Sequence, residues 1–202
     1  MATYSTLGIA NKALARCGAS PITALTDDTS NGRAINEAYE TSKKSVLGEC
    51  AWNFAVTRSS LVTSSVTQPW SYINENIVYD RPAGVIRIIS TSDKDAIWRE
   101  EGEYIMSDTT GLGIKYVYDI TDVSKFHPLF VEAFIDKLCS DICFMILHSE
   151  TKAIAFLEKY EKVSLDKAMS VNAQTGTQQS PNDDEWERAK YGNEGNPARS
   201  YD

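Results

Sequence analysis

The chain has 202 residues, 42% of them hydrophobic, and a formal net charge of −8. That is enough apolar material for one good core and does not require a second independent domain. The acidic balance excludes a tight grip on a phosphate backbone, which needs clustered Lys and Arg to release counterions.

The most apolar run, Ile142 to Leu147, falls far short of the roughly 20 residues that cross a bilayer. Met1-Ala2-Thr3-Tyr4-Ser5 has no basic region ahead of an apolar stretch, so neither an export signal nor a membrane partner is expected. Cys17, Cys50, Cys139 and Cys143 are scattered through apolar, helix-like contexts, which suits reduced core thiols made in a cytoplasm better than a disulfide scaffold.

In chain order, Ser5 is placed to cap a first helix in which Leu7, Ala10, Leu14 and Cys17 recur at helical spacing, and Gly18 is placed to end it. A second helix is predicted from Ser30 or Asn31, with Ile35, Ala38, Tyr39, Ser42 and Val46 on one face and an end between Gly48 and Trp52. From Asn53 to Ile120, Val, Thr, Ile and Tyr are punctuated by turn formers, and the period moves toward two. This stretch reads as one small antiparallel sheet whose best strand pair flanks Asp80-Arg81-Pro82-Ala83-Gly84. Trp52 and Phe54 are expected to plug the joint between the second helix and the sheet.

Helix returns at Pro128. Its apolar residues, Phe130, Phe134, Leu138 and Ile142 among them, cover more than one stripe, so one side is expected in the subunit's own core and the other against a neighbouring subunit. A last long helix should run from about Ser149 to Val171. After Asn172 the polar composition leaves little to bury, yet Trp186-Glu187-Arg188-Ala189-Lys190-Tyr191 is a helix-compatible island of the kind that folds on a partner. The expected fold class is α+β, mostly α: an antiparallel helical bundle from residues 1–52 and 121–171, a β insertion at 53–120, and an extended C-terminal tail at 172–202.

Chemistry is hard to find. Cys139 and Cys143 lie four apart near His148, but closed zinc sites need a second ligand pair, and core thiols are the better reading. Gly111-Leu112-Gly113 lacks the Lys and Ser/Thr of a phosphate loop and reads as a hairpin turn. Neighbouring carboxylates, Glu100 with Glu101 or Asp27 with Asp28, could serve glycoside hydrolysis in principle, yet such pairs in turns are usually just solvated. No catalytic residue, cofactor or metal is expected.

The whole-chain pattern says more. Ala13-Leu14-Ala15-Arg16-Cys17-Gly18-Ala19-Ser20-Pro21-Ile22 is followed by a helix that ends in Cys50-Ala51-Trp52-Asn53-Phe54. Then come Asp80-Arg81-Pro82-Ala83-Gly84-Val85-Ile86-Arg87-Ile88, Trp98 with Glu101-Gly102, and Ile114-Lys115-Tyr116-Val117-Tyr118-Asp119-Ile120-Thr121-Asp122-Val123, which runs through Phe126, Pro128 and Phe130-Val131-Glu132-Ala133 into the apolar helix. This series resembles the bacteriophage head-to-tail connector family of the tail tubular protein A type, in which the first helix ends in Gly-x-x-Pro-Ile and Trp-x-Phe follows the second. The resemblance spans residues 5 to 171, with Arg81 and Gly84 standing where the family has Leu and Asp, and a weaker echo at Trp186 to Tyr191.

The resemblance implies a structural virion protein at the head-tail junction, without enzymatic activity. Its copies, about twelve, would form a closed ring through heterologous contacts. That ring would sit between the portal protein and the tail nozzle protein, with tail fibres a further candidate partner and genomic DNA passing through without specific binding. Phe130, Phe134, Leu138 and Ile142 are then expected at the subunit interface, and Trp186, Arg188, Tyr191, Arg199 and Tyr201 at the portal. The alternatives are a tail-tube or stopper protein of a long-tailed phage and, less favoured, a tail-associated cell-wall hydrolase.

Overall fold

The computed structural model describes residues 4–68, 70 and 75–175, and the expectations placed on residues 176–202 lie outside that range. The fold is α+β and mostly helical, as expected. Helix α1 (Thr6–Cys17) is capped at Ser5, whose Oγ accepts from Gly8 N at 3.0 Å, and it ends at Gly18, which adopts the left-handed conformation. Helix α2 (Ser30–Glu49) is capped by Thr29, whose Oγ1 accepts from Gly32 N. Pro128 opens helix α3 (Pro128–Leu147), where its missing N–H costs nothing.

The last rod is not a uniform helix. Helix α4 (Glu150–Lys159) passes through one π-helical stretch, Tyr160–Leu165, into helix α5 (Asp166–Gln174). The wider turn changes the facing of the residues: Tyr160 and Ala168 are buried, whereas Val163, which a regular helix would have brought toward the bundle, is 56% exposed.

Helix α3 is the centre of the molecule. It packs against α1, α2, α4, the π stretch and α5. This overturns the expectation of a subunit interface at Phe130, Phe134, Leu138 and Ile142. All four are 0% exposed within the single chain. The broad apolar pattern that suggested two separate partners comes from a helix surrounded by its own neighbours.

Among the described residues the β region holds two sheets, where one is expected. Strands β1 (Val56–Ser60), β4 (Val85–Thr91) and β7 (Gly113–Tyr118) form a three-stranded sheet in the order β1-β7-β4. Strands β2 (Val62–Thr63), β3 (Ile77–Asp80), β5 (Trp98–Glu101) and β6 (Tyr104–Ser107) form a second, in the order β2-β3-β6-β5. All the pairings are antiparallel.

The expected best strand pair is therefore not a pair. The strands on either side of Asp80 to Gly84, β3 and β4, belong to different sheets, and Gly111 likewise turns the chain from one sheet to the other. Period-two patterning reports which face of a strand is buried but not which strand lies beside it. The hairpin expected at Glu101-Gly102 is present between β5 and β6, with Gly102 at positive φ.

Two hydrophobic clusters organise these layers. The larger joins the helices to Trp52, Ala55, Val117 and Ile120. The smaller lies in the β region and contains Leu61, Tyr79, Val85, Ile105, Leu112, Ile114 and Tyr116. Sheet β1-β7-β4 contributes to both clusters, because alternate residues of β7, Ile114 and Tyr116 against Val117, point to opposite sides or ends of it.

Candidate functional site

The joint between α2 and β1 is built from aromatics. Trp52 is 1% exposed, and its indole Nε1 donates to Val46 O at 2.8 Å across the end of α2. Its ring meets Phe130 of α3 edge-on, with centroids 5.0 Å apart. Phe54 packs against both Phe126 (5.6 Å) and Phe130 (4.9 Å). These separations and tilts are those that aromatic quadrupoles favour. The ring partners of the two residues, Phe126 and Phe130, stand at the entry to α3, and Trp52 belongs to the larger hydrophobic cluster with Phe54 packed against it. Arg87 of β4 completes the junction by donating to Gly48 O (3.1 Å) and Glu49 O (3.3 Å), satisfying carbonyls that the end of α2 leaves without helical partners.

The C-terminus of α5 is tied to the same joint. Asn53 N donates to Asn172 Oδ1 at 2.9 Å, Asn53 Nδ2 donates to Asn172 O at 2.9 Å and to Thr175 Oγ1 at 2.5 Å, and Asn172 Nδ2 donates to Ala51 O at 2.9 Å. The sequence places the start of the tail at Asn172. That residue is an anchor instead, and the described helix continues to Gln174. Nothing in the periodicity of the sequence marks Asn53 or Asn172, whose partnership spans 119 residues of chain.

Beside this clamp lies an open groove of about 580 Å³ walled by Tyr4, Phe54, Phe126, Pro128, Val171 and Thr175, with Lys125 and His127 also lining it. Its surface is mainly apolar, and none of its described lining residues is a carboxylate.

A buried polar cluster holds the bundle from within. Asp136 is 1% exposed and accepts from Arg16 Nη1 (2.5 Å), Lys159 Nζ (3.0 Å) and Ser164 Oγ (2.5 Å); Arg16 also pairs with Glu132. Ser164 belongs to the π stretch, so the wide turn supplies one of the donors that a buried carboxylate requires. Lys43, equally buried, pairs with Glu40 (2.7 Å) and with Asp119 (3.0 Å) at the end of β7. Burial works against its charge, but the two carboxylates hold its pKa above the ordinary lysine value.

The residues considered for chemistry are absorbed by structure. All four cysteines are free thiols, and among the described residues no group of His, Cys, Asp and Glu is arranged to hold a metal ion. Cys139 Sγ donates to Ala13 O at 3.4 Å, and Cys17, Cys139 and Cys143 are buried between α1 and α3. Asp27 accepts from Thr23 N at 2.7 Å in a turn, Asp28 pairs with Arg33, Glu100 with Arg81, and Glu101 with Arg99. A polar cleft of about 560 Å³ at the ends of β1, β4 and β7 is lined by hydroxyls with Arg58 and Lys115 and offers no described carboxylate or imidazole for proton transfer. No helix among the described residues is long and apolar enough to cross a membrane.

Comparison of the chain with protein-family models finds no match, and comparison with curated proteins finds none either. Of the residues expected to matter, Trp52 and Phe54 come together with Phe126 and Phe130; Trp186, Arg188, Tyr191, Arg199 and Tyr201 lie outside the described residues.

Proposed function

We propose that this chain is a structural subunit of a tailed-phage head-to-tail adaptor, a ring component that joins a portal to a tail nozzle and performs no covalent chemistry. The observation that carries the reading is spatial. Motifs far apart in sequence, the Trp-x-Phe after the second helix and the Phe126 to Phe130 entry into the third, form one aromatic cluster that ties the end of α2 to the start of α3. The residues that carry the resemblance are thus residues on which the fold depends, which supports reading the resemblance as one of architecture.

The ring contact belongs on the bundle's exposed apolar residues, since Phe130 and its companions are buried. Phe144 near the end of α3, Ile154 on α4 and Val163 on the π stretch are each half exposed or more. The tail from residue 176 onward, with Trp186, Arg188, Tyr191, Arg199 and Tyr201, is the proposed portal-binding segment; its root is rigid because Asn172 and Thr175 are clamped to Asn53.

Electron microscopy of the purified chain mixed with a tailed-phage portal protein from the same source tests the proposal. Rings stacked coaxially on portals are expected, and Trp186→Ala should strongly reduce their occupancy. Portals that remain bare at saturating concentrations of the folded wild-type chain would sink the adaptor reading.

A further inference from the structure

We propose that the apolar groove beside Trp52 is the binding site for the chain's own Trp186–Tyr191 segment. The groove is a solvent-open concavity of about 580 Å³ with walls that include Phe54, Phe126 and Val171. It is large enough for an indole together with a neighbouring side chain, and an apolar hollow of this size gains free energy from any aromatic group that displaces its water.

The position of the chain beyond the described residues selects the occupant. Thr175 is the last described residue, it lines the groove, and its Oγ1 is held by Asn53 Nδ2. The polypeptide therefore leaves from the rim of the site. Residues 176–185 can span up to about 33 Å when extended, so Trp186 reaches every part of the groove. Short tethers hold such a ligand at an effective concentration in the millimolar range, and a weak aromatic contact then suffices for occupancy.

Charge points the same way. Lys125 is the charged side chain among the described residues that line the groove, with His127 beside it, whereas Trp186 directly follows Asp183-Asp184-Glu185. Asp122 lies 3.8 Å from the Lys125 ammonium in an exposed, loose pair that leaves donors for the acidic run, which favours this segment over an apolar peptide lacking charge. The proposal does not rest on the adaptor reading, because groove occupancy is a property of the free chain. If that reading also holds, a partner that captures Trp186 must first draw it out of the groove, so partner binding and groove opening are linked.

The test uses full-length protein in which photo-reactive benzoylphenylalanine replaces Trp186, prepared as an equal mixture of isotopically light and heavy chains. After irradiation, mass spectrometry should find crosslinks to peptides containing Phe54, Phe126 or Val171, joining light to light and heavy to heavy. In the same background, Val171→Asp, which places a charge in the groove wall, should lower the crosslink yield by about ten-fold, with circular dichroism reporting an intact fold. Lys125→Glu, an exposed change, should lower the yield as well and serves where Val171→Asp disturbs folding. Crosslinks joining light to heavy chains would assign the groove to a second copy and overturn the proposal. Crosslinks outside the groove, or a groove yield that both folded variants leave unchanged, would overturn it too.

Discussion

Two phenylalanines on the same helix carry opposite consequences. Phe130 is wholly buried and meets Trp52, Phe54 and Phe126 edge to face, so Phe130→Ala should cost about 3–5 kcal/mol in a denaturant titration. Phe144 is 58% exposed, and Phe144→Asp should leave stability within about 0.5 kcal/mol of the wild type while weakening self-association seen by sedimentation. The reverse ordering of the two stabilities would mean that the centre of the bundle has been misplaced. A titrating residue gives a further check. Burial pushes the Tyr39 phenol up to about 12, above its ordinary value near 10. The unfolded chain therefore releases this proton first, and the stability that Tyr39 contributes is full below about pH 10 and lost as pH rises toward 12. Tyr39→Phe should flatten that part of the alkaline stability profile measured by chemical denaturation; an unchanged slope would show that Tyr39 ionises no differently in the fold.

At the scale of elements, two helical ends make contrasting demands on glycine. Gly18 closes α1 at φ 78° with open space where a Cβ would stand, so Gly18→Ala should cost about 1 kcal/mol through backbone strain. Gly32 lies inside the first turn of α2, where alanine's higher helix propensity would ordinarily be stabilising. A Cβ there would come within 2.2 Å of Asp27 O, so the Thr23–Asp27 turn would have to move. Gly32→Ala should therefore lower the melting temperature more than Gly18→Ala; the opposite order would show that the turn yields readily. The β region behaves as two unequal layers by the same reasoning. An insertion at 53–120 could be removed without harm to the bundle only if the helical core drew nothing from it. Ala55, Val117 and Ile120, however, sit in the helical core, and Arg87 caps α2. Removing residues 53–120 should expose that core and lose cooperative unfolding. In the intact chain, amides of β2, β3, β5 and β6 should exchange faster than those of β7 and α3, because that sheet draws only on the smaller cluster.

For the whole molecule, the net charge of −8 governs encounters with nucleic acid. In the proposed ring, the same charge repeated around the channel would let DNA pass without sticking. The purified protein, alone or assembled, should leave duplex DNA unretarded in electrophoresis at physiological salt, and salt-sensitive binding there would contradict a passive channel role. The clamp at Asn53 also resets where the body ends: truncation after Val171 removes Asn172 and Thr175 and should destabilise the Trp52 joint, whereas truncation after Thr175 keeps it. Local signals were sufficient for much of this architecture. Ser5, Gly18, Pro128 and helical periodicity marked the helices, because caps and amphipathic faces act over a few residues and are written in neighbouring positions. The aromatic joint at Trp52 and Phe54 was legible for a similar reason: two large apolar rings next to a change of period must be buried somewhere. What lay beyond sequence were relations between distant residues. The apolar breadth of α3 could not say whether its covering surface was its own chain or another, since burial leaves the same pattern either way. Strand alternation could not say that β3 and β4 part into separate sheets. Nor could any local pattern join Asn53 to Asn172 or bring Arg16, Lys159 and Ser164 to Asp136, because those contacts exist only once packing has brought remote segments within hydrogen-bonding distance.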